Sequence, residues 1–128
     1  MKDNKGFLNN TLESFYCFRE GKNVVLIGTD KWAEKAISDV ISPKNITISY
    51  FIKEDSSFIE KTFMGEPVKD FHELFNENNK EKIIILICGN NPFKYVEKLE
   101  KAGFDNYYSY YLFTEFFINR ESRWITLN

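Results

Sequence analysis

The sequence predicts an α/β domain built on a mainly parallel sheet. Three observations carry that expectation. Short, continuously apolar runs at Val24–Ile27 and Ile83–Cys88 suit strands covered on both faces. Amphipathic stretches with helical spacing lie between the runs. Gly21, Gly28, Gly89 with Asn91-Pro92, and Gly103 punctuate the runs, as expected where strands and helices alternate.

The first element is a helix over about Thr11–Glu20. Asn10 with Glu13 has the form of a capping box, Leu12, Phe15 and Tyr16 share a face, and Gly21 stops it. Val24–Ile27 is the first strand. The helix after it, Lys31 to about Ile41, places Trp32, Ala33, Ala36, Ile37 and Val40 on one side, and Ser42-Pro43 ends it. Ile46–Ile52, rich in β-branched residues, is the second strand. Phe58–Met64 reads as a short helical turn and Gly65–Val68 as a brief extended piece. Asp70 opens a further helix with Glu73 in the capping-box position. Lys82–Cys88, the most apolar strand, is expected at the centre. Asn91-Pro92 starts the next helix, with Asn as cap and Pro at the first helical position, and Gly103 closes it. Tyr107–Phe113 is the last strand.

These elements compose a Rossmann-like three-layer sandwich. About four main strands are expected in the order 2-1-3-4, with an N-terminal helix added. The 128 residues fit one domain: an N-terminal helix (1–21), a core (22–113) and an aromatic extension (114–128). Winding reverses between the first and third main strands, so a ligand crevice is expected at their carboxyl ends.

Composition narrows the functional classes. A net charge of −2 provides no basic footprint for nucleic acid. The longest apolar run is too short to span a bilayer, and no signal-like segment opens the chain. Two well-separated cysteines, Cys17 and Cys88, have no metal-ligand spacing and fit a reducing, cytoplasmic setting.

The site residues follow from the crevice. Gly28, Thr29, Asp30, Lys31, Trp32 and Ala33 align with the dinucleotide fingerprint G-x-G-x-x-G/A, with Asp30 in place of the middle glycine. That glycine normally lets a pyrophosphate approach the backbone. A carboxylate there adds bulk and negative charge, and it also suits an N-cap. At the end of the second strand, Lys53 would favour an anion such as a phosphorylated ribose. Glu54 or Asp55 would take ribose hydroxyls, and a solvated polar turn is the alternative. Gly89, Asn90 and Asn91 close the other side, with Asn90 or Asn91 as candidate bonds to a sugar or base edge and Asn91 equally a plain cap. No catalytic set or metal site stands out. Cys88 lacks a neighbouring base, and the sole histidine, His72, falls on a solvent-facing helix position.

The run Tyr107–Phe113, with Phe116, Phe117 and Trp124, is unusually aromatic. Packing against Phe7, Phe15, Tyr16 and Phe18 is one use for it. A homodimer or partner interface is the other.

The order of Gly28–Ala33, the second strand and loop to Asp55, Gly65–Val68 and Gly103–Tyr107 resembles small Rossmann-like domains of bacterial surface-polysaccharide proteins. Examples are the N-terminal nucleotide-sugar-binding domain of sugar O- and N-acetyltransferases and the domains attached to FkbM-type methyltransferases. The resemblance implies a nucleotide-sugar ligand and catalysis on a separate domain. This chain carries no hexapeptide repeats for such a domain. The expected function is therefore a non-catalytic nucleotide- or nucleotide-sugar-binding module, with a dinucleotide also admissible. A protein-interaction scaffold and a small NADP-dependent enzyme are the alternatives.

Overall fold

The computed structural model describes residues 5–114. It is a six-stranded sheet between two helical layers. The strands are β1 (Asn23–Ile27), β2 (Ile48–Ile52), β3 (Thr62–Phe63), β4 (Glu66–Lys69), β5 (Ile83–Ile87) and β6 (Tyr107–Ser109). The helices are α1 (Leu12–Phe18), α2 (Lys31–Ala36), α3 (Phe71–Phe75) and α4 (Val96–Lys101).

The sheet order is β3-β4-β2-β1-β5-β6, and only the β3–β4 pair is antiparallel. It has six strands where about four were expected, and two of them extend the sheet beyond β2. The extra pair is a small hairpin. Residues 58–64, expected as a helical turn, include β3, which pairs Phe63 with Glu66 across Met64 and Gly65. Gly65 takes φ 85° at this turn, a conformation glycine adopts without Cβ strain.

Alternation along the central strands builds the two layers. Val24, Leu26, Ile84 and Leu86 face Phe15 of α1 and Ala33 and Ala36 of α2. Val25, Ile27, Ile83, Ile85 and Ile87 face Leu74 of α3 and Leu99 of α4. Both faces of β1 and β5 are therefore covered, which explains their unbroken apolar runs. In β2 the register shifts at its start. Ile48 and Phe51 consequently join one face while Tyr50 and Ile52 join the other.

Several boundaries differ from expectation for local reasons. Thr11, and not Asn10, is the N-cap of α1, its hydroxyl accepting from Ser14 N at 3.0 Å. Asn10 is occupied elsewhere. Its amide accepts from Ser109 N at 2.7 Å and donates to Ser109 O at 3.1 Å. One side chain thus satisfies both backbone groups of an edge residue in β6. After α2 the chain continues through a wide turn, Ile37–Ile41, and a tight one, Ser42–Lys44. β2 then begins two residues later than the predicted Ile46. The last strand is three residues long, because Ser109 Oγ accepts from Leu112 N at 3.1 Å and residues 110–114 turn helical. Asp70 and Glu73 form the expected capping box on α3.

The aromatic residues at both ends meet inside the molecule. Tyr107, Tyr108, Tyr110 and Phe113 are buried. Phe15 meets Tyr108 edge-on at 5.6 Å, and Phe7 meets Tyr107 at 5.2 Å. Phe116, Phe117 and Trp124 lie outside the described residues. Among the described residues no helix is long and apolar enough to cross a membrane.

Asn10→Ala is expected to lower the unfolding free energy by about 1–3 kcal/mol, since it strands two backbone groups of a buried residue. Urea denaturation measures this, and an unchanged midpoint would contradict the pairing.

Candidate functional site

The crevice forms where β1 and β5 lie side by side and the chain leaves their carboxyl ends in opposite directions. From β1 it runs through α2 to β2, and from β5 through α4 to β6. The two exits are tied together by Cys88 N donating to Ile27 O at 3.0 Å, and Gly28 N, donating to Ile52 O at 2.8 Å, ties the β1 exit to the end of β2. Gly28 and Gly89 are thereby neighbours.

Gly28 has φ 130°, where an L side chain is strained. A Cβ built on it would stand 3.4 Å from Cβ of Cys88 and 3.5 Å from Oε1 of Glu54. A Cβ on Gly89 would stand 3.7 Å from Oε2 of Glu54. The Glu54 carboxylate therefore lies across both glycines, and its Oε2 accepts a hydrogen bond from the Tyr95 hydroxyl. Glu54 itself is solvent-exposed, while Tyr95 is buried. An accessible carboxylate over two bare backbone turns is an acceptor for hydroxyl or N–H donors.

The other expected site residues divide. Asp30 caps α2, its Oδ1 accepting from Trp32 N at 3.0 Å. The amide that a phosphate would use in that turn is thus already bonded. Lys31 is exposed at the first helical position, and Thr29 is half-buried. The Trp32 ring leans on Tyr110 and Tyr111, at 6.3 and 5.4 Å. Lys53 donates to Phe58 O at 3.3 Å within its own loop. Asp55 accepts from Ser57 N at 2.9 Å, and the Ser57 bonds hold its carboxyl below the usual range. Lys53 and Asp55 thus brace the loop from which Glu54 reaches the crevice. Asn90 and Asn91 are exposed. Asn91 precedes the tight turn Pro92–Tyr95 that leads into α4, but its side chain makes no capping bond. The geometry therefore brings together Gly28, Glu54 and Gly89.

Charge in the crevice is negative. Burial first, then the charges of Glu54 and Asp30, push the Cys88 thiol well above its usual range. Burial, the bond to Glu54 and the same two carboxylates likewise raise Tyr95. Tyr95 is thus a permanent donor, and Cys88 remains a protonated thiol, the opposite of an activated nucleophile. Sequence reasoning missed Tyr95, because helical spacing from Pro92 puts Phe93, Val96 and Leu99 inward, whereas the tight turn Pro92–Tyr95 exposes Phe93 and buries Tyr95. His72 is exposed and lies 3.1 Å from the Asn76 amide, on α3.

A separate hollow of about 390 Å³ lies between α1, the two turns that follow α2 and residues 110–114. Leu12, Val40, Pro43 and Phe113 line it, with Asp39, whose carboxylate accepts from the Tyr110 hydroxyl. No group of three or more His, Cys, Asp or Glu stands close enough to hold a metal among the described residues.

Sheet order, alternating crossovers and a switch point flanked by glycines define a Rossmann-like α/β fold. No protein-family model matches the chain, and no curated protein matches its sequence. Its fold matches a solved structure described as the crystal structure of RSP in complex with beta-NADH, with a TM-score of 0.51 and 16% identity. The match covers 84% of this chain and 64% of that one. At this identity the likeness is one of fold.

Of the two cysteines, exposed Cys17 is expected to react rapidly with a thiol reagent at pH 8, and Cys88 only on unfolding. Two fast equivalents per chain would contradict the buried, protonated state of Cys88.

Proposed function

We propose that the chain is a non-catalytic module that binds a ribonucleotide-containing ligand, a dinucleotide or a nucleotide-sugar, in the crevice between Gly28 and Gly89. The observation that carries this reading is the Glu54 carboxylate lying across both glycines at the switch point. Its free acceptor capacity suits the hydroxyls of an unphosphorylated ribose. Thr29, Lys31, Asn90 and Asn91 rim the opening and are the residues left to meet the phosphates, since Asp30 holds the Trp32 amide. Lys53 turns one ammonium N–H into its own loop at Phe58 O, and the Glu54 carboxylate over the glycines would repel a second phosphate on the ribose; both weigh against the NADP-dependent alternative. The NADH-bound state of the structural neighbour supports a dinucleotide. A role as an accessory module in surface-glycan modification draws its support from the order of motifs between Gly28 and Tyr107.

A second reading, a scaffold whose crevice is closed by its own side chains, is favoured by Asp30 on the Trp32 amide. Partner binding would then fall to exposed apolar residues such as Leu8 and Phe93.

A thermal-shift panel of NADH, NADPH, UDP-glucose, coenzyme A and S-adenosylmethionine separates the two. Stabilisation by NADH or UDP-glucose, weaker with NADPH and reduced in Glu54→Ala, is the expected result. No shift with any ligand at millimolar concentration would overturn the binding reading and leave the scaffold.

A further inference from the structure

Tyr95 carries an inference that rests on the reading above and goes one step past it. The residue is 3% exposed, and its ring stacks on Phe71 of α3, with centroids 5.4 Å apart and planes 23° from parallel. The Lys98 ammonium lies 4.5 Å from the Phe71 ring centroid, and that of Lys94 5.2 Å from the Tyr95 centroid. Pro92 opens the turn that ends at Tyr95 and is itself buried. Three elements therefore fix the ring: α3, the turn and the start of α4. Its hydroxyl is the one part that reaches the crevice, where it donates to Oε2 of Glu54.

Glu54 belongs to an exposed loop, and such a side chain ordinarily samples several rotamers. Here a rigid donor engages one carboxylate oxygen, while the other lies beside Gly28. We propose that Tyr95 is the positioning residue of the crevice: it holds Oε2 of Glu54 so that Oε1 stays over Gly28 to accept a ribose hydroxyl of the ligand. The rotamer entropy of Glu54 is then lost before binding, and the ligand meets a preset acceptor. Burial keeps Tyr95 un-ionised, so the donor persists wherever the carboxylate is charged. A preset carboxylate also repels a phosphate, so the gripped portion of the ligand is the sugar.

The test is a double-mutant cycle read by calorimetric titration with NADH and, in parallel, with UDP-glucose. Wild type, Tyr95→Phe, Glu54→Ala and the double variant are compared. Tyr95→Phe keeps the packed ring and is expected to weaken binding roughly tenfold, the order of one charge-assisted hydrogen bond. In the Glu54→Ala background the same change is expected to do nothing, because Tyr95 acts through Glu54. A merely structural tyrosine would cost the same in both backgrounds. Should Tyr95→Phe fail to fold, Tyr95→Met serves as the second variant. It removes the hydroxyl but leaves an apolar side chain in the core and the Glu54 carboxylate at full reach, and is expected to show a similar loss. Wild-type affinity in Tyr95→Phe, or an equal loss with and without Glu54, would overturn the positioning role alone. Failure of the wild type to bind either probe would overturn the binding reading and this assignment together.

Discussion

Everything at the crevice depends on the backbone of Gly28 being bare. At φ 130° any L side chain would be strained, and Cys88 and Glu54 already stand at van der Waals distance from where a Cβ would be. That one constraint lets β1 end flush against the loop after β5, and it lets a carboxylate from the β2 loop lie over both. The site is thus a meeting of three strand ends at one uncrowded turn.

The sheet makes this meeting possible. β1 pairs in parallel with β2 on one side and with β5 on the other, and both of its faces are sealed by helices. Such a strand has no freedom to slip, since a one-residue shift would move its whole apolar set to the wrong face. The rigid centre contrasts with the outer edges, which are managed by local devices. Asn10 satisfies Ser109 at the β6 edge, and the β3–β4 hairpin covers β2. Several tyrosine hydroxyls act in the same spirit, each joining a buried ring to a carboxylate on another element or loop. Tyr50 meets Glu77, Tyr110 meets Asp39 and Tyr95 meets Glu54.

The sequence made the centre legible and the edges less so. The runs at β1 and β5, the turn at Gly28 and the cap at Asp30 follow from patterns that burial on two faces and helix capping impose. The β3–β4 hairpin was hidden because Ile59 and Phe63 stand four residues apart, as on a helical face, while pairing across Met64 and Gly65 leaves little local mark. Ser109 looked like part of an aromatic strand, yet its hydroxyl starts a helical turn. Asn10 looked like a cap, yet it serves a residue far away in the chain. Each of these outcomes is decided by a tertiary partner, which local spacing cannot encode. At the site, the candidates Gly28, Glu54 and Gly89 converge. Lys53 and Asp55 turn into their own loop, and the choice among three consecutive polar residues was a matter of which one the loop aims inward. Tyr95 was invisible for the same reason.

The most direct test is a crystal structure of the chain soaked in a mixture of NADH and UDP-glucose. The account predicts density between Gly28 and Gly89, with a ribose hydroxyl within hydrogen-bonding distance of Glu54 and the Tyr95 contact retained. Density elsewhere on the surface, with none between Gly28 and Gly89, would contradict it.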